Sequence, residues 1–225
     1  MKRIVCLILA ACLLLCLAAC GAEPGQSADK PESTAPAGTG ADSPLPAEFR
    51  GTKRDDAYEN ELLNLRVALP AGWTFATDEQ IAEVNGITAD RMAGSAAAEL
   101  IKKNGQLMDM MMSTVSGSSV NLLLQPQQKG LDAYSDEMVF QLAEESTKAQ
   151  FAAANMSVET YEAVTVRLGS GEKTALHMVL NASGLVMDEY QIWFRTDGDY
   201  MGVLTVAMTG GAEAQPILDG ITSIH

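Results

Sequence analysis

Leu63, Leu65, Val67 and Leu69 alternate with Asn64, Arg66 and Ala68. That period of two predicts a strand with one buried face. Pro70-Ala71-Gly72 turns the chain, and Trp73 and Phe75 follow. Thr77-Asp78-Glu79-Gln80 has the form of a capping box and predicts a short helix to Val84, ended by Asn85-Gly86. Thr88 is a second cap, and the alanine-rich run 89–103 predicts a helix stopped by Asn104-Gly105. Residues 107–115 and 120–124 predict strands joined by Ser116-Gly117-Ser118-Ser119. Ser135 caps a helix reaching Ala154, with Met138, Val139, Leu142, Ala143, Ser146 and Ala149 on the stripe expected to be buried.

The last third is a meander. Strands are predicted over 158–168, 174–182, 185–195 and 200–208, with glycine-containing turns between them. Pro216 suits the first turn of a helix over 214–224, with Ile217, Leu218, Ile221 and Ile224 on one face. Strands and helices interleave at the front, and hairpins follow one another at the back. The order predicts an α+β fold with a mainly antiparallel sheet. Apolar helix stripes at both ends of the chain predict a three-layer α/β/α sandwich.

The first residues follow another pattern. Lys2 and Arg3 precede residues 4–17, which contain neither charge nor proline. About 14 residues are too few to cross a bilayer, which takes ~20, but they suit the apolar region of a secretory signal. Leu17-Ala18-Ala19-Cys20 resembles the lipobox of bacterial lipoproteins. The resemblance implies cleavage between Ala19 and Cys20 and a diacylglyceryl group on the Cys20 sulfur. An earlier Leu-Ala-Ala-Cys ends at Cys12, but it leaves only residues 4–8 as apolar region, and Cys16 follows the bulky Leu15. The alternatives are an ordinary cleaved signal that happens to end in cysteine, or a transmembrane anchor.

The expected organisation is a signal peptide at 1–19, a lipidated cysteine and linker at 20–48, and one globular domain at 49–225. Residues 21–47 are almost all small or polar. Such a segment cannot bury enough surface to offset its ordering entropy, so it reads as a flexible tether spanning roughly 30 Å.

A second resemblance covers residues 59–224. "LPAGW" at 69–73, two helical regions, the meander with "YQIWFRTDGDYMGVLTVA" at 190–207 and a short terminal helix resemble the PsbP family. That family includes an extrinsic subunit of photosystem II, shares its fold with a small nuclear-import factor, and is similar to many lipoproteins of Gram-positive gut bacteria. The resemblance implies an α/β/α sandwich and a non-catalytic accessory or binding role. It carries over no functional residue.

Charge and composition narrow the function. The formal net charge is -14, and loss of Lys2 and Arg3 takes it to -16. Clustered cations are what phosphates and anionic lipids select, so neither nucleic acid nor an anionic membrane surface is an expected partner of the domain. All four cysteines lie in the first twenty residues, so the domain has no disulfide and no thiolate metal site.

Met108, Met110, Met111 and Met112 are soft ligands of the kind that hold Cu(I). In a strand at most Met108, Met110 and Met112 converge, and with twelve methionines in the chain a methionine-tolerant core explains them. His177 has no nucleophile at a motif spacing and reads as a packed or half-exposed strand histidine. The run Gly169-Ser170-Gly171-Glu172-Lys173-Thr174 has glutamate where a phosphate loop needs glycine, and Asp197 with Asp199 supply too few oxygens for calcium. Trp73, Tyr190, Trp193 and Tyr200 are the candidates for a ligand groove, and core or interface packing is the alternative for the same four.

The expected function is a lipid-anchored protein of the extracytoplasmic membrane face. Its domain binds a small molecule or an envelope protein, with no metal or cofactor and without catalysis. The alternative is a hydrolase-like cell-envelope enzyme with a carboxylate and hydroxyl site.

Overall fold

The structure is a computed structural model and describes residues 49–92, 95–128 and 130–225. The expected signal peptide and tether, with Ala19 and Cys20, lie outside the described residues. Among the described residues eleven strands and four α-helices follow in chain order. Thr52–Lys53 (β1), Ala57–Asn60 (β2), Leu65–Ala68 (β3) and Thr74–Phe75 (β4) lead into the helices Asp78–Val84 (α1) and Ser95–Asn104 (α2). Leu107–Ser113 (β5) and Ser119–Pro126 (β6) form a hairpin, and Asp136–Ala153 (α3) follows. The meander is Ser157–Leu168 (β7), Gly171–Ala182 (β8), Leu185–Arg195 (β9) and Tyr200–Thr209 (β10), and the chain closes with Gln215–Leu218 (α4) and Ile221–Thr222 (β11).

The local signals act as their chemistry dictates. At α1 the Gln80 amide donates to Thr77 Oγ1 at 3.3 Å, and the Thr77 amide donates to Gln80 Oε1 at 2.8 Å. Ser135 Oγ accepts from the Met138 amide at 3.3 Å to start α3. The β8–β9 turn holds Ser183 at φ 53° and Gly184 at φ 88°. Two positive φ values match the twist of the flanking strands. Asn181 Oδ1 accepts from the Gly184 amide at 3.0 Å and fixes the turn.

The strands make two sheets. Seven run in the order β4-β5-β6-β10-β9-β8-β7, each antiparallel to its neighbours, and four run β1-β2-β3-β11. One face of the large sheet takes α3. There Phe140, Phe151 and Met156 pack on Leu176, Met178, Leu180 and Met187. The small sheet shares the main core with the large one, where Leu65, Val67 and Ile221 join Leu122, Leu124 and Leu204. The approach of the sheets is close at Gly202: a Cβ there would overlap Leu63 Cδ1.

The expected α/β/α sandwich is therefore corrected. The described chain is mostly antiparallel β, in two sheets, and has no single central sheet flanked by helices on both faces. The reason lies at the two ends of the domain. Ile221 pairs with Val67 and Thr222 with Arg66, so the end of the chain completes a second sheet where a long terminal helix was expected. The helix predicted over 214–224 is a single turn, Gln215–Leu218. The helix predicted over 89–103 is divided between a 3₁₀ turn at Ala89–Met92 and α2. The buried stripe of α3 is also corrected: Val139, Phe140, Thr147 and Phe151 face the sheet, whereas Met138 and Leu142 face solvent.

Candidate functional site

The helix and small-sheet layers leave part of the large sheet open. Beside β7, β8 and β9, on the face away from α3, lies an open trough of about 1110 Å³. Its floor is Val164 and Val166 of β7, His177 and Val179 of β8, and Val186, Asp188 and Tyr190 of β9. Its wall is the end of β10 and the segment through α4, with Met208, Ala214 and Leu218 inward. Alternation puts these floor residues on one face, because every second side chain of a strand points the same way.

At the centre is His177. Its Nε2 lies 2.6 Å from Asp188 Oδ1 and its Nδ1 lies 3.2 Å from Glu162 Oε1. Its ring stacks on Tyr190, with centroids 4.7 Å apart and planes 17° from parallel. Carboxylates only accept, so both contacts are made together when both ring nitrogens donate. Burial, and then the charges of Asp188 and Glu162, raise the Tyr190 hydroxyl above its usual value. The trough thus mixes apolar side chains with Arg167, Glu213 and Gln215 around an acidic and aromatic centre.

The arrangement holds a ring but frees no base. A catalytic histidine keeps one nitrogen on its orienting carboxylate and turns the other to the nucleophile. Here both nitrogens face carboxylates. Among the described residues no group of three or more His, Cys, Asp or Glu side chains is placed to share a metal ion.

The structure separates the four aromatic residues singled out from sequence. Tyr190 alone lines the trough. Trp193, three residues on, points to the opposite face and packs edge-on against Phe140 at 4.8 Å. Tyr200 packs edge-on against Phe49 at 5.0 Å. Trp73 rests half-buried against the main core. Burial, and then the charge of Asp199, raise Tyr200 above its usual value.

The methionine run is core. A bulge at Asp109 shifts the register, so Met108 stands opposite Leu123, Met110 opposite Leu122 and Met112 opposite Val120. Leu122 and Leu123 face opposite sides of the sheet, which leaves Met110 and Met112 as the pair that share a face. Met108, Met110 and Met112 are fully buried among carbon side chains.

Glu162 was missed from sequence, though a signal existed, and Asp188 reads there only as a solvated carboxylate beside Glu189. A two-residue turn fixes cross-strand partners by counting outward. From Gly169-Ser170 the count places Glu162 opposite His177, and from Ser183-Gly184 it places His177 opposite Tyr190, as observed.

No family model matches the chain, and no curated protein matches it.

Proposed function

We propose that this chain is a lipid-anchored protein of the extracytoplasmic membrane face, acylated at Cys20, whose β-rich domain binds a ligand without catalysing a reaction. The trough carries the binding half of this reading. A concave, largely apolar site with a few convergent polar groups is the usual form of a small-molecule site. The residues at its centre support a non-catalytic role, because both nitrogens of His177 are engaged by carboxylates. The lipobox at residues 17–20 supports the anchor. An acidic chain of net charge -14 fits a protein that avoids nucleic acid.

The binding half is tested with an uncharged fluorescent probe, N-phenyl-1-naphthylamine, whose emission rises in apolar sites. The wild-type chain should enhance it saturably. Val179→Trp fills the floor of the trough and should abolish the enhancement while the far-ultraviolet circular dichroism stays unchanged. Equal enhancement by both proteins would place the probe elsewhere and remove the trough from the reading.

A further inference from the structure

The two rims of the seven-stranded sheet differ in charge. One rim gathers the entry to β4, the β5–β6 hairpin, the α3–β7 connection, the β8–β9 turn and the exit of β10. Residues 71–73, 114–118, 154–156, 183–184 and 210–212 make these connections, and none is charged. Along the chain the nearest carboxylates are Glu213, just past the last connection, and Glu159, inside β7, and Asp56 approaches the entry to β4 where its carbonyl accepts from the Leu69 amide. The opposite rim carries Asp78, Lys102, Lys103, Asp136, Glu172, Lys173, Asp197 and Asp199. In a chain that is 20% charged, one whole rim is spared.

That rim also exposes apolar side chains. Val115 stands fully exposed at the tip of the β5–β6 hairpin, at 108%, and Val186 is 48% exposed beside Leu185 at 36%. Leu185 and Val186 stand where the trough opens onto this rim, and Val115 packs on nothing. Apart from Val115, the loops that carry them are built from Ser, Thr and Gly, which place few bulky groups in the way of a flat surface.

We infer that the uncharged rim is a lipid-contacting edge, which rests on the bilayer interface with Val115, Leu185 and Val186 among the head groups. Size favours lipid over protein. Six inter-strand spacings make the rim about 29 Å long, and a sheet is about 10 Å thick, so the rim offers on the order of 300 Å². A stable protein interface buries about 800 Å² per partner. A bilayer sets no such minimum, because single apolar side chains partition into it one by one. Charge agrees. A domain as acidic as this one is repelled by anionic head groups, and the spared rim lets it approach with its carboxylates held back. The tether is no obstacle. Phe49 enters the domain beside Tyr200, at the charged rim. The 29 residues of the tether can stretch to about 100 Å, against about 40 Å for the twelve residues of β7.

The inference shares the membrane location proposed above, and the mass of the mature N-terminus reports on that location separately. The test uses the full chain, purified from a membrane fraction and reconstituted in phosphatidylcholine vesicles containing brominated lipid. Cys6, Cys12 and Cys16 are replaced by serine in case the signal is retained. A fluorophore is attached at Val115→Cys or, on the other rim, at Glu172→Cys. Bromine quenching should be at least twofold stronger at the first position. Adding Val186→Asp and Leu185→Asp should bring the two positions to parity. Equal quenching in the parent chain, or stronger quenching at the second position, overturns the inference. So does energy transfer between copies labelled at Val115→Cys without bromine quenching, because that result puts a second copy of the chain on the rim.

Discussion

Arg50 reaches the bulged residue of β5: its Nε lies 2.8 Å from Asp109 Oδ1, and the Asp109 side chain is wholly buried. The Gly51 amide donates to Oδ2 at 2.8 Å, Asn60 Nδ2 donates to it at 3.3 Å, and the Tyr58 hydroxyl donates to it too. One carboxylate therefore fastens the first residues of the domain and the small sheet to the large one. Asp109→Ala removes the acceptor shared by four donors, of which the Tyr58 hydroxyl and Asn60 Nδ2 are buried. It should lower the unfolding free energy by about 3–5 kcal/mol, read from the urea midpoint. Combined with Tyr58→Phe, the loss should fall short of the two single losses together, because both changes remove the same hydrogen bond.

Tyr58 sets a pH dependence. Burial, and then the charge of Asp109 and its hydrogen bond, hold the hydroxyl well above its usual range. A group whose pKa is raised on folding contributes fully below its unfolded value, near 10 for tyrosine. Above that pH the unfolded chain loses the proton and the folded chain keeps it, so stability falls. Thermal midpoints should drop as pH rises past about 10, and Tyr58→Phe should flatten the drop. Tyr161, Tyr190 and Tyr200 are also raised, chiefly by burial, and leave a smaller slope of the same sign. A slope identical in the variant and the parent would refute the assignment to Tyr58.

Helix α3 separates pattern from packing. Phe151 is buried against Leu176 and Met178, whereas Leu142 is 71% exposed. Phe151→Ala should cost about 3–5 kcal/mol. Leu142→Gln should stay within about 0.5 kcal/mol of wild type. Comparable losses would mean that the outer stripe of Tyr134, Met138 and Leu142 is packed in solution.

The contrast shows what local chemistry determines. Caps and tight turns act over three or four residues, so Thr77, Ser135 and Ser183-Gly184 were legible, and with them the order of the meander, although β8 begins at Gly171 and not at Thr174. The phase of α3 was not. Val139 is buried in either phase, and Met138 and Leu142 fit a 3.6-residue period as well as Phe140, Thr147 and Phe151 do. What decides is which side chains the sheet can accept, and that is a tertiary property. The two-sheet partition rests on the pairing of Ile221 with Val67 across most of the domain, and no local pattern encodes it. The candidate site was half legible. Tyr190 and His177 were singled out, but the trough needs the wall from Gly210 to Leu218, which a continuous helix over 214–224 had obscured.

His177 tests the weight of its carboxylates. Glu162 and Asp188 remain largely solvated, so the pairs are screened. His177→Phe keeps a ring on Tyr190 and deletes both contacts. It should change the unfolding free energy by less than about 1 kcal/mol at neutral pH. A loss of several kcal/mol would show that the histidine holds β7, β8 and β9 together.

The proposed anchor rests on one sulfur atom. If Cys20 is acylated, Cys20→Ala removes the only lipid that ties the domain to a bilayer, and the variant should leave the membrane fraction or persist with residues 1–19 attached. Intact mass separates the outcomes. The parent should begin at Cys20 and carry the added mass of its acyl chains, and the variant should carry none. The lipid-contacting rim predicts a residue of binding beyond the anchor. If the variant is released, a small share should still sediment with phosphatidylcholine vesicles, and Val115→Asp with Val186→Asp should remove that share. Full membrane retention of Cys20→Ala at the mature mass would refute acylation as the anchor, whatever the rim does.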